Sequence, residues 1–376
     1  TINKILETAV YTCTLNMQDG YFLDGIKRDR LVWSGDMYAE IKTALYSFGV
    51  TSHMRRSLDF VKATTPDGFW MNNIPSYDAW WVINVCEYYN YSGDSAYLTE
   101  NLNNMNAAMK ELDACIDEDG TMNFGKTGRK LSFHEFFLDW PTEGTKDAVT
   151  GTALLILYAA RIFGETAKDS ACGATIDSIN RKLQPYIFEE TSKKQIAAFQ
   201  VLCGQPTDGL KRLLEKDGAS GFSTFMSYFI LKALADSGSD CAVEFIKEYY
   251  GGMLGRGATT FWEDFDVSWL DGSGRIDEIS TSDKKDLHAD YGQFCYKGLR
   301  HSLCHGWSSG VVPFFIEEIV GLKILEPGFK KIAVRPNPGS LNYISAKIPT
   351  PYGVMNIEVK NGKADVVLPN GITLVK

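Results

Sequence analysis

Thirteen residues near the start of the chain, Asp24-Gly-Ile-Lys-Arg-Asp-Arg-Leu-Val-Trp-Ser-Gly-Asp36, carry three carboxylates, three fixed cations, two glycines and a tryptophan. A solvated charge run needs neither a tryptophan between its charges nor glycines where the backbone bends closely. The set suits acid/base cleavage of a glycosidic bond, in which one carboxyl group protonates the leaving oxygen and others hold or activate what attacks.

Further candidates lie along the chain. Glu263 stands in Trp262-Glu-Asp-Phe, beside Asp264, and His305 lies between Cys304 and Gly306-Trp307. Tyr77-Asp-Ala-Trp-Trp81 and Leu138-Asp-Trp-Pro141 each pair an acid with tryptophan, so Asp78, Trp81, Asp139 and Trp140 are candidate cleft residues, or core tryptophans beside capping aspartates. Other chemistries lack their motifs. No Gly-x-Gly-x-x-Gly follows a strand pattern, and neither a Walker loop nor Gly-x-Ser-x-Gly occurs. His134-Glu135 has no second histidine at ligand spacing, and the eight cysteines form no C-x-x-C pair, so no metal site is expected.

The order Asp24, Arg28, Asp29, Arg30, Trp33, Gly35, Asp36 resembles the signature of the α-L-rhamnosidases, glycoside hydrolase family 78. Gly257-Ala-Thr-Thr-Phe-Trp-Glu263 is similar to that family's second acidic motif, and Ser302-Leu-Cys-His-Gly-Trp307 to the histidine segment that follows it. The resemblance implies an (α/α)6 barrel, no cofactor, and inverting hydrolysis of terminal α-L-rhamnosides, with Asp29 as general acid and Glu263 as general base. It also implies substrate contacts from Asp24, Arg28, Trp33, Asp36 and His305. Asp36 has a competing role as a helix N-cap, and Arg28 and Arg30 as supports of the carboxylates. The family more often has Glu at position 29 and Cys-Pro at 25 and 26. One methylene less shortens the acid's reach by roughly 1.5 Å, a scale on which misplacement costs about a hundredfold in rate. Two alternatives therefore stand beside the rhamnosidase reading: the same fold acting on another glycan residue, and a non-catalytic carbohydrate-binding homologue.

The elements that must position these residues read as helices first. Met37, Ile41, Ala44, Leu45 and Phe48 recur at helical spacing up to Gly49; Ala79, Val82, Ile83 and Cys86 do so up to Ser92-Gly-Asp, and Ala153, Leu157, Ala160 and Phe163 up to Gly164. Phe222, Phe225, Phe229 and Leu231 open another that runs to Ser237-Gly-Ser. After Glu326 the texture changes to short strands, with Asn361-Gly362 and Asn370-Gly371 as tight hairpin turns. The expectation is mainly α: a helical barrel over residues 1–325 and a small antiparallel β-domain over 326–376. The β-domains that precede the barrel in the family are absent from this chain, which reads as a fragment or a shortened member.

Bulk numbers narrow the partners. With 376 residues, 44% hydrophobic and 23% charged, the composition is ordinary for a globular chain. A net charge of -9 argues against nucleic-acid binding, which needs clustered Lys and Arg, and leaves carbohydrate as the expected partner. No uncharged apolar run reaches the roughly 20 residues of a membrane span. The first residues, Thr-Ile-Asn-Lys, contain no signal-peptide core, and nothing in the chain assigns a compartment or an oligomeric state.

Overall fold

The computed structural model describes residues 1–27, 29–131, 134–167, 172–291 and 299–375. Among these are twelve α-helices: α1 (Ile2–Asn16), α2 (Met37–Phe48), α3 (Ser52–Thr64), α4 (Pro75–Ser92), α5 (Ser95–Ala114), α6 (Lys146–Thr166), α7 (Gly173–Leu183), α8 (Lys194–Leu202), α9 (Thr207–Glu215), α10 (Ser227–Asp236), α11 (Ala242–Gly255) and α12 (Val311–Phe314). The even-numbered helices touch in sequence order, and α12 returns to α2, closing an inner ring. The odd-numbered helices pack outside it, so the architecture is an (α/α)6 barrel.

Sequence pattern decides which ring a helix joins. In α10, Ser227 to Leu231, Ala233 and Leu234 are all buried, as expected for a helix apolar on every side. Among the described side chains of outer α9 only Leu210 and Leu214 are buried, one stripe of the helix. Helix α6 is long and apolar enough to cross a membrane, yet 67% of that stretch is buried inside the barrel. Inside the ring Phe199 and Phe229 stack at 4.9 Å, each contributing about 1.5–3 kcal/mol through burial. Local signals set the ends: Pro75 opens α4 and left-handed Gly93 closes it, while Asp94 accepts from the Tyr97 N–H at the start of α5.

Further along α2, Lys42 is buried between Glu317 at 2.9 Å and Glu87 at 3.4 Å. Tyr46 and Tyr228 donate to the two oxygens of Glu317 at 2.8 and 2.6 Å, and Lys42 donates to Tyr228 Oη at 3.0 Å.

A two-stranded hairpin, β1 (Met17–Gln18) and β2 (Tyr21–Phe22), follows α1, and the remaining strands lie at the C-terminus. One sheet holds β3 (Leu322–Glu326), β4 (Lys331–Val334) and β8 (Thr373–Val375); the other holds β5 (Tyr343–Thr350), β6 (Gly353–Lys360) and β7 (Lys363–Val367). Strand β3 therefore begins four residues before the expected boundary at 326. Asn361-Gly362 makes the expected hairpin, both residues at positive φ. Asn370-Gly371 does not, because β8 lies parallel to β4. The β5–β6 register sets Ile344 opposite Val359 and Ile348 opposite Met355, giving an apolar face buried against the barrel.

Candidate functional site

Three distant segments are stitched together at the start of the inner ring. Gly25 and His305 form an antiparallel bridge, and the Gly306 N–H donates to Asp24 O at 2.7 Å. The Glu263 N–H donates to Ser302 O at 2.9 Å, and the His305 N–H to Phe261 O at 3.0 Å. Trp307 Nε1 and Thr224 Oγ1 donate to Glu263 O at 2.7 and 2.5 Å, and the Ser302 N–H meets Glu263 Oε2 at 3.3 Å. Backbone pairing of this kind fixes the side chains it carries more firmly than a free loop would.

Above this braid lies a cavity of about 230 Å³ whose walls include Asp24, Asp29, Trp33, Asp36, Trp140, Glu263 and His305. Tyr77, His134, Phe137, Arg300 and Trp307 complete most of the rest. The rings make a nearly continuous aromatic wall: Trp33 meets Tyr77 edge-on at 5.7 Å, Tyr77 lies 6.1 Å from Phe137, and Phe137 meets Trp140 at 5.2 Å. Such a wall offers apolar surface to ring C–H groups while the carboxylates face hydroxyls.

Asp24 and Leu31 pinch off the acidic loop through two bonds, Asp24 N–H to Leu31 O at 3.0 Å and Leu31 N–H to Asp24 Oδ1 at 2.7 Å. At the exposed tip of that loop Asp29 and Arg30 have φ of 54° and 53°. Consecutive left-handed non-glycine residues cost roughly 1–3 kcal/mol each, and such strain is commonly concentrated at functional sites. Arg30 reaches Gln18 Oε1 at 2.7 Å. Arg28 lies outside the described residues.

The electrostatics are crowded with carboxyl groups. Burial pushes Asp24 up to about 7, with His305 opposing and Asp36 and Asp29 adding. Asp36 is also raised, chiefly by burial, although His305 Nε2 sits 3.0 Å from its Oδ1. For His305, burial disfavours the imidazolium, but the Glu263 charge, the bond to Asp36 and the charges of Asp36 and Asp24 prevail and raise its pKa. Its Nδ1 is buried without a partner among the described residues. Gly25 permits this approach, since a Cβ there would lie 2.8 Å from Nδ1 and 2.9 Å from Ser302 Oγ. One turn beyond Asp36, Glu40 is fully buried and its pKa is raised well above the usual range by burial and then by Asp36 and Asp24. Gly306 lies over it, so close that a Cβ would fall 1.9 Å from Oε1.

Several expected residues stand elsewhere. Asp36 precedes α2 without capping it, its side chain being turned to His305. Asp78 and Trp81 do not line the cavity. Asp78 accepts from the Met71 N–H at 2.7 Å behind the wall, and Trp81 is fully buried with Nε1 on Leu58 O at 3.0 Å. Asp139 is likewise internal, accepting from Ser223 Oγ at 2.6 Å and Thr142 Oγ1 at 2.8 Å, and burial pushes it up to about 6. Asp264 is buried and holds its own loop, with Oδ1 on the Phe265 N–H at 2.9 Å. Its N–H donates to His301 Nε2 at 3.2 Å, so the proton of that neutral imidazole lies on Nδ1, donated to Leu287 O at 3.1 Å. Burial lowers the His301 pKa to about 4, consistent with that state.

Tyr77, His134 and Arg300 were missed. Tyr77 immediately precedes Asp78 on α4, where one residue step turns a side chain by about 100°, so the flagged stretch was right and the face wrong. His134 pairs through Nδ1 with Glu143 at 2.7 Å, a contact across a loop that no spacing rule announces. Among the described residues no group of three or more His, Cys, Asp or Glu side chains is arranged to hold a metal ion.

Residues 1–174 match the family described as bacterial alpha-L-rhamnosidase 6 hairpin glycosidase domain, and residues 321–373 match the bacterial alpha-L-rhamnosidase C-terminal domain. The fold is similar to the family 78 rhamnosidase of Bacillus sp. GL1, with a TM-score of 0.74 and 23% identity over 100% of this chain and 43% of that one. For the α-L-rhamnosidase of Dictyoglomus thermophilum the TM-score is 0.72 at 19% identity, over 99% of this chain and 43% of the other. The Streptomyces avermitilis α-L-rhamnosidase complexed with L-rhamnose gives 0.75 at 15%, over 99% and 37%. This chain thus spans less than half the length of each of these three. No curated protein sequence matches it. At these identities the structural likeness speaks for the fold: the chain has the six-hairpin fold of the glycoside hydrolase family 78 α-L-rhamnosidases, with a rhamnosidase-type segment matched at each end.

Proposed function

We propose that the chain hydrolyses terminal α-L-rhamnosides with inversion, Asp29 protonating the leaving oxygen and Glu263 activating water from the opposite face. The observation that supports this most is the convergence of Asp24, Asp29, Asp36, Glu263 and His305, drawn from segments far apart in sequence, on one aromatic-walled cavity. At about 230 Å³ it is smaller than the roughly 300–1,000 Å³ usual for drug-sized ligands and suits a single sugar ring. Asp29 stands exposed at the loop tip, where a leaving group departs, whereas Glu263 is buried in the floor and tied down by Ser302. His305 and Asp36 form a hydrogen-bonded pair that meets ring hydroxyls as donor and acceptor. Relatives in the same fold carry the name rhamnosidase, and one is complexed with L-rhamnose, which favours that sugar over others.

The test is a panel of aryl glycosides. Turnover of the α-L-rhamnoside alone supports the reading, turnover of another glycoside would move the substrate, and binding without turnover would make the chain a carbohydrate-binding homologue. Proton NMR of the first-formed sugar checks the stereochemistry, because an inverting pair needs roughly 6.5–9.5 Å between carboxyls to admit water. Initial retention would reject the role given to Glu263.

Asp24 supports a second reading of the acid, since its carboxyl lies in the same cavity and is pushed up to about 7. An acid catalyst must be protonated near the working pH, and Asp24 meets that condition. Leaving-group dependence separates the two. The variant that removes the true acid slows poor leaving groups far more than activated aryl ones, whereas loss of a hydroxyl contact weakens both alike.

A further inference from the structure

Beside the sugar cavity lies a larger one of about 500 Å³, more than twice its size. The two share Trp140, and consecutive residues serve them, Glu263 the smaller and Asp264 the larger. The larger cavity's walls also include Lys193, Gln195, Trp269 and Tyr291. Trp269 and Tyr291 lie nearly parallel, 5.3 Å apart at 21°, and give a flat aromatic surface. Gln195 is 1% exposed and donates through Nε2 to Gly221 O at 3.1 Å, but its Oε1 is buried with no partner among the described residues. A buried acceptor without a donor is costly, so an incoming hydroxyl that satisfies it is favoured. Lys193 Nζ makes one long bond, 3.3 Å to Pro141 O, and has further protons to offer.

Flat aromatic surface, an unsatisfied buried acceptor and an ammonium donor together match a pyranose chain, whose rings present C–H faces and hydroxyls of both hydrogen-bonding senses. We propose that this cavity is the leaving-group subsite and takes a carbohydrate of about two pyranose rings, so that the substrate is a rhamnose-terminated oligosaccharide and not a small aryl glycoside. The assignment rests on the glycosidase reading above.

The experiment compares kcat/KM for an aryl α-L-rhamnoside and for a trisaccharide ending in α-L-rhamnose, using the full chain and its Trp269→Ala and Lys193→Ala variants. In the unaltered protein the trisaccharide should have the lower KM. Trp269→Ala should reduce the trisaccharide-to-aryl ratio of kcat/KM about tenfold, and Lys193→Ala by a few-fold. The aryl substrate reports whether each variant is folded, and the change at Lys193 removes a half-buried side chain with little risk to the core. Turnover of both substrates with an unchanged ratio in both variants sinks the subsite and leaves the proposed reaction standing. Absence of turnover on both substrates in the unaltered protein sinks the proposed reaction and the subsite together, and turnover of the aryl substrate alone sinks the subsite.

Discussion

Along one helix, α2, two buried charge clusters are balanced in opposite ways. Around Lys42 a central cation is shared by two carboxylates: the ammonium lies between Glu317 and Glu87, two tyrosine hydroxyls finish the hydrogen bonding of Glu317, and Glu87 alone of the pair is raised, chiefly by burial. Burial there opposes ionisation, yet the Glu317 and Glu87 charges prevail at Lys42 and raise its pKa, while Lys42 and the tyrosines lower that of Glu317. Around Asp36 the opposite holds. Asp24, Asp36 and Glu40 lie close together, with His305 hydrogen-bonded to Asp36, and all three of those carboxyls are raised, chiefly by burial. A satisfied cluster locks helices together, whereas one held away from its electrostatic optimum waits for a substrate or a proton to complete it.

The contrast can be broken most sharply at Glu263. Glu263→Gln should lower kcat on aryl and oligosaccharide rhamnosides alike by about a thousandfold, since water activation is needed whatever departs, while the thermal midpoint stays level or rises. Initial rates and thermal melts decide it; a large fall in stability with activity kept would reverse the roles of the two clusters. Lys42→Met should do the converse, costing about 3–4 kcal/mol in denaturant unfolding because Glu317 and Glu87 are left buried without their cation. Its folded fraction should retain kcat.

Gly25→Ala probes the join between the braid and the histidine. The added methyl would press on His305 Nδ1 and the Ser302 hydroxyl, so a loss of about ten- to a hundredfold in kcat/KM is expected, with about 1–2 kcal/mol of stability. Unchanged kinetics would mean that His305 does not set the geometry of the cavity.

The gentlest test is pH. Burial outweighs the Met71 N–H bond and the Arg129 charge at Asp78 and pushes it up to about 7, so the native state keeps a proton that the unfolded chain releases near pH 4. Stability from this group is full below about pH 4 and is lost as the pH rises to about 7. Glu317, whose pKa is lowered, contributes in the opposite sense, and its share is lost as the pH falls through its folded value. Asp78→Asn should therefore flatten the decline in unfolding free energy between pH 4 and 7 by about 1 kcal/mol per pH unit. An unaltered slope would place the proton elsewhere.

What the sequence disclosed follows the range of the interactions involved. Helix α2 up to Gly49 and α4 up to Gly93 were readable because periodicity and a glycine stop are local. The candidate site segments were readable because residue types cluster there, and residues from 24–36, 263 and 305 do line one cavity. Asp78 and Asp139 were misplaced because an acid beside a tryptophan looks the same whether it faces a cleft or a backbone N–H. Phe222 and Phe225 precede α10, since Phe225 is needed in the loop to stack on Trp307 at 4.7 Å. Strand β8 escaped notice because its parallel partner β4 lies some forty residues away, beyond any hairpin rule.

The braid beneath the cavity has a consequence for how the protein comes to life on the ribosome. Asp36 and His305 are 269 positions apart, and Asn16 lies 288 positions from the Cys304 thiol it touches. The acidic loop is synthesised well before the Glu263 and His305 segments, which emerge only when most of the barrel's helices have been made. Loop closure on that scale is slow and is compensated only by the contacts it brings. The walls of the candidate site are therefore complete only once the segment carrying Gly306 lies over Glu40 and α12 packs on α2, so cavity and closed ring are finished by the same late residues.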